Sequence, residues 1–283
     1  MATNAEPTPP PHLTGEDLTG ELEVVGRIAG SSNLAVLARL LPAEGDDGAD
    51  DGTTPVHVIY KPVRGERPLW DYPDGTLAGR EVAAAVVSEL GDWDLVPPTV
   101  LRDGPLGPGS VQLWIGNPYA PLADDAVVDL VPEGHTPPGW HAVMDGETPG
   151  GSAVTVVHSG ADDVRSLAVL DAALNNSDRK GSHCLRDDAG QLYAIDHGVS
   201  FSPMPKLRTV LWGWAGEPLP EADLERLERL LDALLTPEGF ERLAALLPEP
   251  DVAALVARVD RLLRVGIHPH PSPGWPAVPW PPL

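Results

Sequence analysis

Lysine is nearly missing from this 283-residue sequence: it occurs only at Lys61, Lys180 and Lys206. Basic residues as a group are outnumbered, with 19 Lys plus Arg against 42 Asp plus Glu and a net charge of −23. That balance argues against a nucleic-acid backbone or an anionic membrane as main partner, since like charge repels. Cysteine occurs once, at Cys184, which excludes an internal disulfide and any zinc or iron–sulfur centre built on several thiolates. No apolar run nears the roughly 20 residues of a membrane span. The first fifteen residues, MATNAEPTPPPHLTG, lack the basic start and apolar centre of a secretory signal. The expected location is the cytoplasm. Phe and Tyr are scarce, 2 and 4, while Trp numbers 8.

What is present is ordinary for a globular protein: 42% hydrophobic and 22% charged residues, over a length that can bury a large core. Residues 1–12 are Pro-rich and read as a disordered tail. Apolar alternation over Leu22–Ile28 and Asn33–Leu41 predicts a hairpin. Its connection holds Gly30-Ser31-Ser32-Asn33, either an ordinary turn or a flexible loop able to fold over phosphates. An acidic loop, Glu44–Asp51, precedes a strand over Pro55–Pro62 that carries Lys61 near its end. Gly79–Leu90 is an Ala-rich helix with Glu81 in its first turn and Glu89 near its end. The intervening segment 64–72, with two arginines and Trp70, could touch phosphate or brace the helix. Val96–Leu101 and Ser110–Ile115 read as further strands.

Residues 116–160, rich in Pro, Gly and Asp, read as a long loop-rich insertion, and His135, His141 and His158 within it lack metal-ligand spacing. Asp162–Leu174 has the period of a helix facing the core. Three helical segments follow, Glu221–Leu235, one starting at Thr236-Pro237, and Asp251–Val265. Residues 268–283 carry Pro at nearly every second or third position with Trp275 and Trp280. They read as a polyproline-like wrap over a groove or a surface for a protein partner.

The stretch with most chemistry is Leu170–Phe201. A helix end leads into the polar loop Asn175-Asn176-Ser177-Asp178-Arg179-Lys180-Gly181-Ser182-His183, then strand Cys184–Arg186, a turn, strand Gln191–Ile195, and Asp196-His197-Gly198. One hairpin thus sets two carboxylates, Asp178 and Asp196, at its two open ends. Phosphoryl transfer needs such a pair, one to position the nucleophile and one to hold magnesium. Cys184, on the first strand, reads as a small buried residue.

The order Asp171…Asn176-x-Asp178-Arg179…His183, then Asp196-x-Gly198 after a strand, resembles the core of the phosphatidylinositol 3-/4-kinase-like superfamily, an actinobacterial family of it in particular. It is also similar to HipA-type kinases. The resemblance covers roughly residues 20–265 and is most specific over 171–198. It implies an α+β, bilobal protein-kinase-like fold: a β-rich N-lobe over 13–115, a mainly helical C-lobe over 116–267, and the tail 268–283. It implies ATP and Mg²⁺, or Mn²⁺, as cofactors and a hydroxyl-bearing acceptor.

Carried over residue by residue, Lys61 would hold the phosphates and Glu81, rather than Glu89, would orient Lys61. Ser31, Ser32 and Asn33 would cover the nucleotide. Backbone of Leu113, Trp114 and Ile115 would read adenine. Asp178 would position the acceptor, Arg179 would pair with a carboxylate or phosphate, and Lys180 would neutralise the transferred group. Asp171 would orient the loop, and Asp196 would bind metal. His183 stands where the family has a metal-binding Asn, a departure, because a hard cation prefers oxygen. Lys206 and Arg208, rare cations after Asp196-x-Gly198, could read a substrate anion.

Three functions fit: a phosphotransferase acting on a protein or small molecule rather than a lipid; an ATP-binding pseudokinase that regulates a partner; and nucleotidyl transfer on the same fold. His183 favours the second. Nothing suggests nucleic-acid binding or integral membrane association.

Overall fold

The structure is a computed structural model and describes residues 13–31, 33–41, 55–73, 77–120 and 126–283. The tail 1–12, the acidic loop 44–51 and Ser32 lie outside them. The first half is rich in strands. Strands β1 (Leu22–Arg27), β2 (Val36–Leu40), β3 (His57–Pro62), β4 (Thr99–Gly104) and β5 (Gly107–Leu113) form one antiparallel sheet in the order β1-β2-β3-β5-β4. Alternation along β3 sends Val58 and Tyr60 into a small core with Leu18, Leu22, Val36, Ala38 and Val111. Lys61 therefore points to the opposite face. Helix α1 (Leu77–Leu90) lies against β4 and β5 and also against the helices of the second half, so it joins the two. Glu66 caps α1: its carboxylate accepts from Ala78 N at 2.8 Å and Leu77 N at 3.3 Å. Segment 64–72 thus braces the helix.

Residues 116–160 are not the loop-rich insertion that their composition indicates. They contain a three-stranded antiparallel sheet of β6 (Val128–Pro132), β7 (Trp140–Glu147) and β8 (Ala153–Ser159), in the order β6-β8-β7. The reason is physical. The edge strand β7 buries none of its residues, so it has no apolar alternation, whereas the central β8 buries Thr155 to His158 in a row. His158 is a core residue: its Nδ1 lies 2.9 Å from Ser159 O and its Nε2 accepts from Gly213 N at 3.0 Å.

The second half is helical, with α2 (Asp162–Leu174), α3 (Glu221–Leu234), α4 (Pro237–Ala244) and α5 (Glu249–Val265) around the main core. The hairpin of β9 (Cys184–Arg186) and β10 (Leu192–Ala194) pairs Cys184 with Ala194. The Pro-rich segment wraps across this half: Ala277 O accepts from Thr209 N at 3.0 Å and Trp212 Nε1 at 2.8 Å, and Pro282 O from Gly181 N at 2.8 Å. Among the described residues no helix is long and apolar enough to cross a membrane.

Candidate active site

The chain brings Lys61, Glu81, His183 and Asp196 together where the first half meets the second. Lys61 Nζ donates to Glu81 Oε1 at 2.5 Å and to Asp196 Oδ1 at 2.8 Å. The other Glu81 oxygen accepts from His197 N at 2.9 Å. One helix residue therefore fixes both the lysine of β3 and the backbone next to Asp196. Of the two glutamates in α1 the geometry selects Glu81; Glu89 lies at the surface, 2.8 Å from Arg242. Gly198 allows the approach, since a Cβ there would meet Glu81 Oε1 at 3.3 Å. Asp196 sits in the left-handed region at φ 61°, which among non-Gly residues is adopted chiefly by Asn, Asp and His, two residues after β10.

Electrostatics follow from this packing. Burial opposes the charge of Lys61, but Asp196 and Glu81 outweigh it and raise its pKa above the usual lysine value. Lys61 holds Asp196 far below the carboxylate range, while 51% of its side-chain surface stays open. Burial raises Glu81. Burial lowers His183 to about 4, so it is neutral, with Nε2 3.4 Å from Asp196 Oδ2 and Nδ1 unpartnered among the described residues.

Asp178 lies on the loop that follows α2. Asn175 ends that helix in the left-handed conformation, φ 53°. Asn176 then folds back, with Oδ1 accepting from Asp178 N at 2.9 Å. The Asp178 carboxylate is flanked by Arg208 Nη2 at 2.9 Å and Lys180 Nζ at 3.2 Å. Arg208 also donates to Ser177 O at 2.7 Å, so it fixes the loop as well as the carboxylate.

Arg179 pairs with a carboxylate, as expected, but its expected catalytic role needs correction. As a catalytic candidate it needs free donors, yet it is fully buried and every N–H is spent. Nε and Nη2 grip Asp171, Nη1 donates to Ile195 O at 2.8 Å and His183 O at 3.3 Å, and Nη2 meets His197 Nε2 at 2.7 Å. It is a positioning residue that ties the loop of Asp178 to the strand end of Asp196.

Protein Rv2133c of Mycobacterium tuberculosis is 43% identical to this chain over 269 residues, which span 93% of this chain and 92% of that one. The chain belongs to the Rv2133c family. No family model matches the sequence. A crystal structure of the Helicobacter pylori proinflammatory kinase CtkA superposes at a TM-score of 0.42 with 11% identity, covering 88% of this chain and 93% of that one, too low to decide the fold.

In this member of the Rv2133c family several expected nucleotide contacts are spent elsewhere. Leu113 N donates to Pro98 O and Trp114 N to His57 O, both at 2.9 Å, so neither of these two backbone N–H groups is free to donate to a base. Asn33 Oδ1 accepts from Arg67 N at 3.0 Å and ties the turn to the segment before α1, while Ser31 makes no described contact with the Lys61 cluster. Lys206 is buried against Asp71 at 2.9 Å and so is not a free reader of substrate anions. Tyr72 was not legible as part of the site, but its hydroxyl lies 3.0 Å from Ser177 Oγ and donates to Val199 O at 2.8 Å.

Proposed function

We propose that this protein is an ATP- and Mg²⁺-dependent phosphotransferase of bilobal, protein-kinase-like build, acting on a hydroxyl of a protein or small molecule. The observation that carries this reading is Lys61 held between Glu81 and Asp196, with Asp178 on the loop tied to Asp196 through Arg179. The residues fit the groups. Asp196 offers an open, ionised carboxylate, and among the described residues no three His, Cys, Asp or Glu side chains converge to hold a metal alone. Magnesium is commonly held by one or two carboxylates plus substrate phosphates. When bound, ATP supplies the phosphoryl group and the metal neutralises its developing charge.

The chain's own groups have separate tasks. Lys61 binds phosphate oxygens and Glu81 keeps it aimed. Asp178 orients the acceptor hydroxyl and takes up its proton. Arg208 holds the Asp178 carboxylate in place. The Lys180 ammonium makes one described ion pair, with Asp178, and retains donors for the transferred group. A pseudokinase is the second reading, supported by neutral His183 against Asp196, where an oxygen ligand would suit magnesium better.

The test is ATP binding and product formation with Mg²⁺ or Mn²⁺, comparing wild type with Asp178→Asn and Asp196→Asn. Metal-dependent ADP release, lost in both variants, is the expected result. Binding without turnover selects the pseudokinase. Pyrophosphate in place of ADP selects nucleotidyl transfer, and no binding by folded protein removes all three.

A further inference from the structure

The carboxylates around Lys61 are nearly all engaged. Glu81 spends one oxygen on Lys61 and the other on His197 N. Asp178 is flanked by Arg208 Nη2 at 2.9 Å and Lys180 Nζ at 3.2 Å. Lys61 takes Oδ1 of Asp196 at 2.8 Å, which leaves Oδ2. The atom beside that oxygen is Nε2 of His183, 3.4 Å away, and half of the Asp196 side chain is open to solvent.

The backbone sets this pair. His183 O accepts from Ile195 N at 3.0 Å, one residue before Asp196, and from Arg179 Nη1 at 3.3 Å. The imidazole is therefore placed by the same hairpin that delivers the carboxylate. His183 is only 9% exposed, yet among the described residues neither ring nitrogen makes a hydrogen bond: Nδ1 has no partner, and none joins Nε2 to Asp196. A largely buried polar ring in that state calls for an explanation.

The distance supplies one. A nitrogen and an oxygen bound to one tetrahedral ion, each at roughly 2.0–2.2 Å, stand about 3.4 Å apart. Nε2 and Oδ2 have the separation of two ligands that share a cation. His197 cannot replace His183, because it is fully buried with Nε2 2.7 Å from Arg179 Nη2.

We infer that His183 Nε2 and Asp196 Oδ2 form a mixed nitrogen–oxygen pair that selects a divalent first-row transition ion over Mg²⁺. Imidazole suits such ions, whereas Mg²⁺ takes oxygen ligands and gives up its water reluctantly. The inference rests on Asp196 as the metal carboxylate of the proposed phosphotransferase and revises only the class of ion held there. His183 is then a specificity-determining ligand rather than a defect.

Mn²⁺, the weakest binder of the transition series, is the stringent probe. It is titrated into the intact protein with a non-hydrolysable ATP analogue, followed by its EPR signal, with Mg²⁺ as competitor. Pulsed EPR of the bound ion, on protein carrying ordinary or ¹⁵N-labelled histidine, reads the ligand without any turnover. The expected result is a coupling to histidine nitrogen, together with a preference for Mn²⁺ over Mg²⁺ that falls at least about tenfold in His183→Asn. Asp196→Asn loses the ion. Where His183→Asn folds poorly, the isotope experiment on the wild type decides. A bound ion without histidine coupling, or a preference unchanged in folded His183→Asn, overturns this inference and leaves Asp196 as the metal carboxylate. Binding that survives Asp196→Asn, or no protein-dependent binding of either ion, overturns both.

Discussion

Arg179 grips both carboxylate oxygens of Asp171, at 2.8 and 2.9 Å, where neither side chain has any exposed surface. Removing one partner of such a pair leaves a buried charge behind. Arg179→Met is expected to lower the unfolding free energy by about 3–5 kcal/mol, measured by urea denaturation. Arg179→Lys recovers little, because an ammonium cannot reproduce the fork that also reaches Ile195 O and His183 O. A loss under about 1 kcal/mol would contradict the positioning role.

Glu81→Gln keeps an acceptor for His197 N but removes the charge that shares Lys61 with Asp196. Metal-dependent ADP release should fall roughly 100-fold, and the unfolding free energy should fall by about 1–3 kcal/mol, because the amide turns a buried donor toward Lys61. Glu89→Gln, at a surface pair with Arg242, should leave both unchanged.

A Cβ at Gly181 would meet Leu283 Cδ2 at 2.7 Å and Val128 Cβ at 2.8 Å. Gly181→Ala is therefore expected to destabilise by about 1–3 kcal/mol. Differential scanning calorimetry checks it, and an unchanged midpoint would mean that the wrap over this loop is loose in solution.

Burial holds His158, His183 and His268 down to about 4 and His197 well below its usual value. In the unfolded chain each takes a proton near pH 6.5. Between about pH 4 and 6.5 the unfolded state binds more protons, so stability falls as pH drops through that window and is level above about pH 7. Glu81, raised by burial, opposes this by at most about one proton. Near pH 5 unfolding should take up roughly three protons net, read from the slope of urea stability against pH. Asp196 belongs to a lower range: its contribution is present above the unfolded value of about 3.9 and fades only below it.

Burial pushes the Cys184 thiol up to about 12. At pH 8 the folded protein should react with Ellman's reagent about three orders of magnitude more slowly than the urea-unfolded chain. A fast native reaction would mean that the β9–β10 hairpin opens readily.

Much of the site could be read from the chain because its parts are close in sequence or strongly patterned. Asp178 and Asp196 flank one hairpin, Lys61 lies on a strand with clear alternation, and Glu81 opens an Ala-rich helix. Other features depend on distance in sequence. Arg208 meets Asp178 thirty residues away, and no spacing rule encodes that contact. Lys206 lies among rings of Trp70, Tyr72 and Trp275, drawn from two segments remote from it in sequence. Arg179 could be read as paired, but only packing shows that all its donors are used. Strands β6 to β8 escaped because composition rich in Pro, Gly and Asp marks turns, while an edge strand with both faces half open has no period to detect.

The bond from Gly181 N to Pro282 O and that from Thr209 N to Ala277 O have a temporal consequence. The residues that fasten the loop of Asp178 leave the ribosome roughly a hundred positions after it, some 5–20 s later at usual elongation rates. During that interval the nascent chain already carries Lys61, Glu81, Asp178 and Asp196, but the segment beside Asp178 lacks its last anchor. Completion of the cleft is a late event of biosynthesis, set by translation rather than by the order in which its chemical groups are made.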